Sequence, residues 1–121
     1  MQAITGSPMS EAQASTRRHP RVPVRLRVYS RDNAFPEEAR DLSLGGMSLE
    51  TGQLLPAGSK MEFELEIPQR DIRILLVGEV AWVKRDGARP AMGIRFSGGS
   101  ELHRQLLANY LDRLFQDFQR L

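Results

Sequence analysis

Two short groups of chemically capable residues stand out in this 121-residue chain. Arg17-Arg18-His19-Pro20-Arg21 sets two arginines four residues apart. Asp41-Leu42-Ser43-Leu44-Gly45-Gly46 sets an acid, a hydroxyl and a glycine in a D-x-S-x-x-G spacing. A guanidinium forks onto a phosphate or another planar anion, and its flat face stacks on a ring. In an extended segment, residues four apart project the same way and lie about 13 Å apart, so Arg17 and Arg21 can grip separate parts of one ligand. Asp41 can accept from ring N–H donors or hold an arginine in place, and the Ser43 hydroxyl can donate to a ligand acceptor. Gly46 admits positive φ and the close approach of a flat ligand. The R-x-x-x-R spacing occurs four times (17/21, 21/25, 27/31, 85/89), so order and context carry the signal. The arginine pair sits just before the first strand, and the second group sits at the next hairpin, where antiparallel pairing can bring them together.

The charge balance supports an anionic partner. The formal net charge is +2, but residues 1–31 hold six arginines against one acid, Glu11, for a net +5. Residues 32–121 hold 11 basic and 14 acidic side chains, for a net −3. Only Lys60 and Lys84 are lysine, so the basic residues are overwhelmingly of the type that forks onto planar groups. The absence of cysteine excludes disulfide scaffolds, thiolate metal sites and cysteine nucleophiles. His19 and His103 lack metal-ligand spacing, and no histidine base accompanies Asp41 and Ser43. Neither a metal site nor an enzyme is therefore expected. No 18-residue apolar run and no secretory signal pattern are present, so no membrane insertion and a cytoplasmic location are expected.

These groups need a scaffold, and the hydrophobic period supplies one. Residues 1–16, rich in Ser, Ala, Gln, Gly and Thr, read as a disordered tail. Pro20 and Pro23 keep 17–23 extended. Val22, Val24, Leu26 and Val28 alternate with Pro23, Arg25, Arg27 and Tyr29, which predicts a half-buried strand with an arginine-lined outer face. After a loop at 31–37, strands are predicted at about 38–43 and 47–51, joined by a turn whose paired glycines supply positive φ. Met61, Phe63, Leu65 and Ile67 alternate with glutamates in a fourth strand. Residues 72–83 form a long fifth strand with a bulge or bend at Gly78, and 91–96 form a sixth. Trp82, a core candidate by type, follows that bulge, where a ring edge can be exposed for stacking on a base. Arg95 is expected to pair with Asp41 or Glu79. After Gly98-Gly99 the period changes to that of a helix of about 20 residues, with Ser100 as its N-cap. His103 is expected to be exposed on it. The fold class is mainly β: a six-stranded antiparallel β-barrel with a C-terminal α-helix. The expected organisation is a tail at 1–16, a barrel domain with its arginine loop at 17–97, and a helix packed on the barrel at 98–121.

On Arg17-x-x-x-Arg21, Asp41-x-Ser43-x-x-Gly46 and the later stretches Gly78-Glu79-Val80-Ala81-Trp82-Val83 and Met92-Gly93-Ile94-Arg95-Phe96, the chain resembles the PilZ domain family, bacterial receptors for cyclic di-GMP. The resemblance covers about residues 17–97. It implies a six-stranded antiparallel barrel and an arginine loop that folds over the ligand against the second motif. The ligand residues it implies are Arg17, Arg18, Arg21, Asp41, Ser43, Gly45 and Gly46, with Trp82 as a further contact. Cyclic di-GMP is then a ligand rather than a cofactor. A one-domain receptor with no output module would act through an effector protein. Two other functions stay open: a PilZ-like protein-interaction module independent of nucleotide, and a small barrel binding single-stranded nucleic acid. The acidic remainder and the scarcity of surface aromatics argue against DNA or RNA. Leu107, Leu111, Leu114, Phe118 and Leu121 form a heptad-like seam, so a monomer or a weak homodimer through the C-terminal helix is expected.

Overall fold

The structure, a computed structural model, describes residues 20–31 and 36–120, with the side chains of 118–120 excepted. The expected tail at 1–16, together with Arg17, Arg18 and His19, lies outside the described residues. Six strands and one helix follow in chain order: β1 (Val22–Ser30), β2 (Glu37–Leu42), β3 (Gly46–Glu50), β4 (Lys60–Ile67), β5 (Ile72–Lys84), β6 (Ala91–Gly98) and α1 (Glu101–Arg120). The strands close into an antiparallel barrel in the spatial order β1-β2-β3-β6-β5-β4, with β1 against β4 completing the ring. The predicted mainly-β barrel with a C-terminal helix is the observed fold.

Closure leaves an interior lined by alternate residues. Phe63, Leu65 and Ile67 of β4 face inward while Glu62, Glu64 and Glu66 face out. Val22, Leu26, Val28, Leu42, Met47, Leu49, Ile74, Leu76, Val80, Met92 and Ile94 fill the rest of the core. Each such side chain contributes about 1.5–3 kcal/mol by leaving water, which is the main force holding the ring closed. The outer glutamates of β4 meet arginines across the sheet. Arg73 lies 3.3 Å from Glu64 and 3.7 Å from Glu66, and its guanidinium stacks 4.1 Å from the centre of the Tyr29 ring.

The ladder is interrupted in four places that matter for the site. Register shifts fall between Pro23 and Leu26 in β1, between Ala39 and Asp41 in β2, and between Val77 and Gly78 and between Val80 and Trp82 in β5. The expected irregularity at Gly78 is present, and a Cβ there would lie 3.0 Å from the Arg95 carbonyl oxygen. Helix α1 packs on β5 and β1 through Leu107 and Leu111, with Leu106, Tyr110, Leu114 and Phe115 partly buried beside them. Ser100 caps it by accepting the His103 backbone N–H at 3.1 Å. His103 differs from expectation. Its ring is half-buried, and Nδ1 accepts the backbone N–H of Leu75 at 2.8 Å, on a stretch of β5 that β6 does not reach. Among the described residues no helix is long and apolar enough to cross a membrane.

Candidate functional site

In a strand the side chains alternate, so Ala39 facing the core would normally put Asp41 in the core as well. The register shift after Ala39 inserts Arg40 as an extra residue and turns Asp41 to the outer face. There Asp41 stands opposite Ser48 of β3 and Pro23 of β1. The Asp41 carboxylate accepts three hydrogen bonds. Oδ1 accepts from the Ser48 backbone N–H at 3.1 Å and from Arg21 Nη1 at 2.6 Å, and Oδ2 accepts from Ser48 Oγ at 3.0 Å. The Arg21 and Asp41 side chains are about one-third exposed (33% and 32%), so the pair is screened but still open to a ligand. Two groups separated by 20 residues thus meet directly.

Trp82 reaches the same face by the same device. Val80 points inward, and strict alternation would bury Trp82; the shift at Ala81 turns the indole out, leaving it 40% exposed. It lies opposite Gly93 of β6, whose missing Cβ leaves room for the indole to rest directly on the strand. Gly93 in turn pairs with Ser48. One row across four adjacent strands therefore reads Asp41, Ser48, Gly93, Trp82. At about 4.8 Å between strands, the row spans about 14 Å. Arg95 sits two residues along β6 on the same face, 52% exposed and 3.7 Å from Glu79, the second of its two expected partners.

The turn between β2 and β3 is built around Ser43. The Ser43 residue is only 3% exposed. Its Oγ accepts the backbone N–H groups of Gly45 and Gly46, both at 3.1 Å, and donates to the Gly46 carbonyl at 3.3 Å. The Gly45 carbonyl accepts the Phe96 backbone N–H at 2.8 Å, which staples the turn to β6. In this arrangement the Ser43 hydroxyl shapes the turn. The glycine requirement also has a different cause from the one expected. The left-handed glycines among the described residues are Gly58, Gly87 and Gly99, not the pair in this turn. Gly46 is instead needed because a Cβ would collide with the Ile94 carbonyl across the β3–β6 ladder. Arg25 and Arg27 are exposed on the outer face of β1, and Arg31 lies 3.4 Å from Glu62, as a solvated arginine face would. Ser48 escaped sequence reasoning, and so did the contacts of Gly93 with Trp82 and of His103 with Leu75, because strand register and helix packing set these partners.

The fold recurs among solved structures. The inhibitor of motility MotI/DgrA of Bacillus subtilis aligns with a TM-score of 0.72 at 17% identity, over 82% of this chain and 50% of that one. YcgR of Escherichia coli in complex with c-di-GMP aligns with a TM-score of 0.71 at 18% identity, over 85% of this chain and 47% of that one. The isolated PilZ domain of YcgR from the same bacterium, with c-di-GMP, gives 0.67 at 19% identity, over 85% of this chain and 94% of that one. The chain therefore spans about half the length of the first two proteins and nearly all of the isolated domain. No curated protein sequence is significantly similar to it. At these identities the structural likeness speaks for the fold; the sequence itself carries the family signal. With residues 15–113 matching the PilZ domain, from just before the arginine group to well inside α1, the chain belongs to the PilZ domain family.

Proposed function

We propose that this protein is a non-enzymatic receptor for cyclic di-GMP. The observation that carries the reading is the Arg21–Asp41 contact at 2.6 Å, which joins the two motifs on an outer-face row ending at Trp82. Membership of the PilZ family and the likeness to a PilZ domain of Escherichia coli that binds c-di-GMP support it. In this reading Arg17, Arg18 and Arg21 grip phosphates and guanine edges, and Asp41 anchors Arg21 from below. Ser43, Gly45 and Gly46 shape the turn that borders the ligand, and Trp82 offers a flat face for a guanine. In this reading the arginine loop at 17–21 closes over the ligand, with Arg21 resting on Asp41. Closing that loop over the ligand would change the surface offered to an effector protein, with the chain itself a monomer or a weak homodimer through α1.

Calorimetric titration with cyclic di-GMP tests the reading. Saturable binding at micromolar ligand, lost in Arg17→Ala and Arg21→Ala, is the expected result. No heat of binding to the wild-type chain at that concentration overturns it. A partner captured equally with and without the nucleotide would favour a protein-interaction module instead.

A further inference from the structure

We propose that Ser48 is a positioning residue of the ligand site, acting through Asp41 on Arg21; this rests on the cyclic di-GMP reading above. Nothing in the D-x-S-x-x-G spacing includes Ser48, which lies two residues beyond its glycine. It becomes relevant because the register shift at Arg40 turns Asp41 onto the outer face, directly opposite Ser48. An outward aspartate on a barrel surface is ordinarily free to rotate about its side-chain bonds. Here Ser48 takes hold of both carboxylate oxygens: the backbone N–H on Oδ1 at 3.1 Å and the hydroxyl on Oδ2 at 3.0 Å. That two-point grip sets the plane of the carboxylate, and so the direction from which Arg21 Nη1 approaches Oδ1.

Removing the hydroxyl leaves only the backbone donor, and the carboxylate can then turn about a single point. Arg21 would still pair with it, but over a range of directions, and its remaining donors would no longer be aimed at one place. Holding those groups before the ligand arrives reduces the ordering cost of binding. Ser48 therefore raises affinity without touching ligand, and its hydroxyl is the operative atom.

The test compares Ser48→Thr with Ser48→Val, which have nearly the same shape and differ in the hydroxyl. Cyclic di-GMP is the titrant, read by calorimetry and by the rise in melting temperature at saturating ligand. The threonine variant is expected to bind within about twofold of wild type. The valine variant is expected to bind about tenfold more weakly, the loss of one hydrogen bond to a charged acceptor. The ligand-induced rise in melting temperature should shrink in Ser48→Val and persist in Ser48→Thr. If the hydroxyl only stabilised the fold, its removal would lower the melting temperature of the free chain and leave that increment alone. Equal affinities for the two variants overturn the proposal while leaving the receptor reading intact. A wild-type chain that binds no cyclic di-GMP overturns both.

Discussion

Arg21→Lys separates the two things an arginine brings to this site, charge and fork. Arg21 gives Nη1 to Asp41 at 2.6 Å, and among the described residues its other donors have no partner. One guanidinium can therefore stay on Asp41 and reach a phosphate or guanine at the same time. A lysine keeps the charge on a single nitrogen, so it can hold Asp41 or turn to the ligand but cannot fork across both. The expected loss is one charge-assisted hydrogen bond, about 1.5–3 kcal/mol, which is roughly a 10- to 150-fold rise in Kd. The free chain should be much less affected. Its ion pair is one-third exposed, and pairs of that kind contribute about 0.2–1 kcal/mol. Calorimetry with cyclic di-GMP at one fixed salt concentration measures the first quantity, and thermal melting of the free variant measures the second. Binding by Arg21→Lys within about twofold of wild type would refute the reasoning, because charge alone would then suffice.

Further expectations concern the scaffold. Gly46→Ala should lower the melting temperature, since its Cβ meets the Ile94 carbonyl; overpacking of this kind costs about 1–3 kcal/mol, and an unchanged melt would count against it. Gly93→Ala should lift the indole off β6; Trp82 is the single tryptophan, so its fluorescence reports this directly, and unchanged emission would contradict the packing. His103→Ala removes the acceptor for the Leu75 N–H, costing about 1 kcal/mol net, and should speed hydrogen exchange at the Leu75 amide. Burial pushes the Tyr110 phenol above its ordinary value, with Arg113 pulling part of the way back. A folded-state value above the unfolded one of about 10 gives stability that is present below pH 10 and lost as pH rises through the folded value. Tyr110→Phe should therefore melt with a weaker dependence on pH in that alkaline range.

Much of the fold could be read from local pattern. The glutamate ladder of β4, the long run of β5 with its irregular Gly78, and the change to a helical period after Gly99 are all local features. Their number and order lead to a barrel with one helix. The two motifs could likewise be picked out, the arginine excess near residues 17–31 pointed to an anionic partner, and the guanine-bearing ligand came from the family resemblance those motifs carry. The roles inside the site were less legible. Ser43 has the chemistry of a ligand donor, and in the structure its hydroxyl accepts the Gly45 and Gly46 amides and donates to the Gly46 carbonyl of its own turn. Gly46 suggests positive φ, whereas its actual constraint is a neighbouring strand.

Residue type, spacing and hydrophobic period are properties of the chain over a few residues, and they were enough for the strand count, the helix and the motif residues. The direction in which Asp41 and Trp82 point is not such a property. Period-two alternation from Ala39 and from Val80 would bury both, and both face outward because an extra residue is accommodated where each strand pairs with its neighbour. Those shifts lie in the pairings of β2 with β3 and of β5 with β6, where one strand carries an extra residue opposite its neighbour, a feature of the pairing that the hydrophobic period does not specify. Strand pairing puts Ser48 opposite Asp41 and Gly93 beneath Trp82, and the packing of α1 on β5 puts His103 against Leu75. The ingredients of the site were therefore local, and its geometry was not.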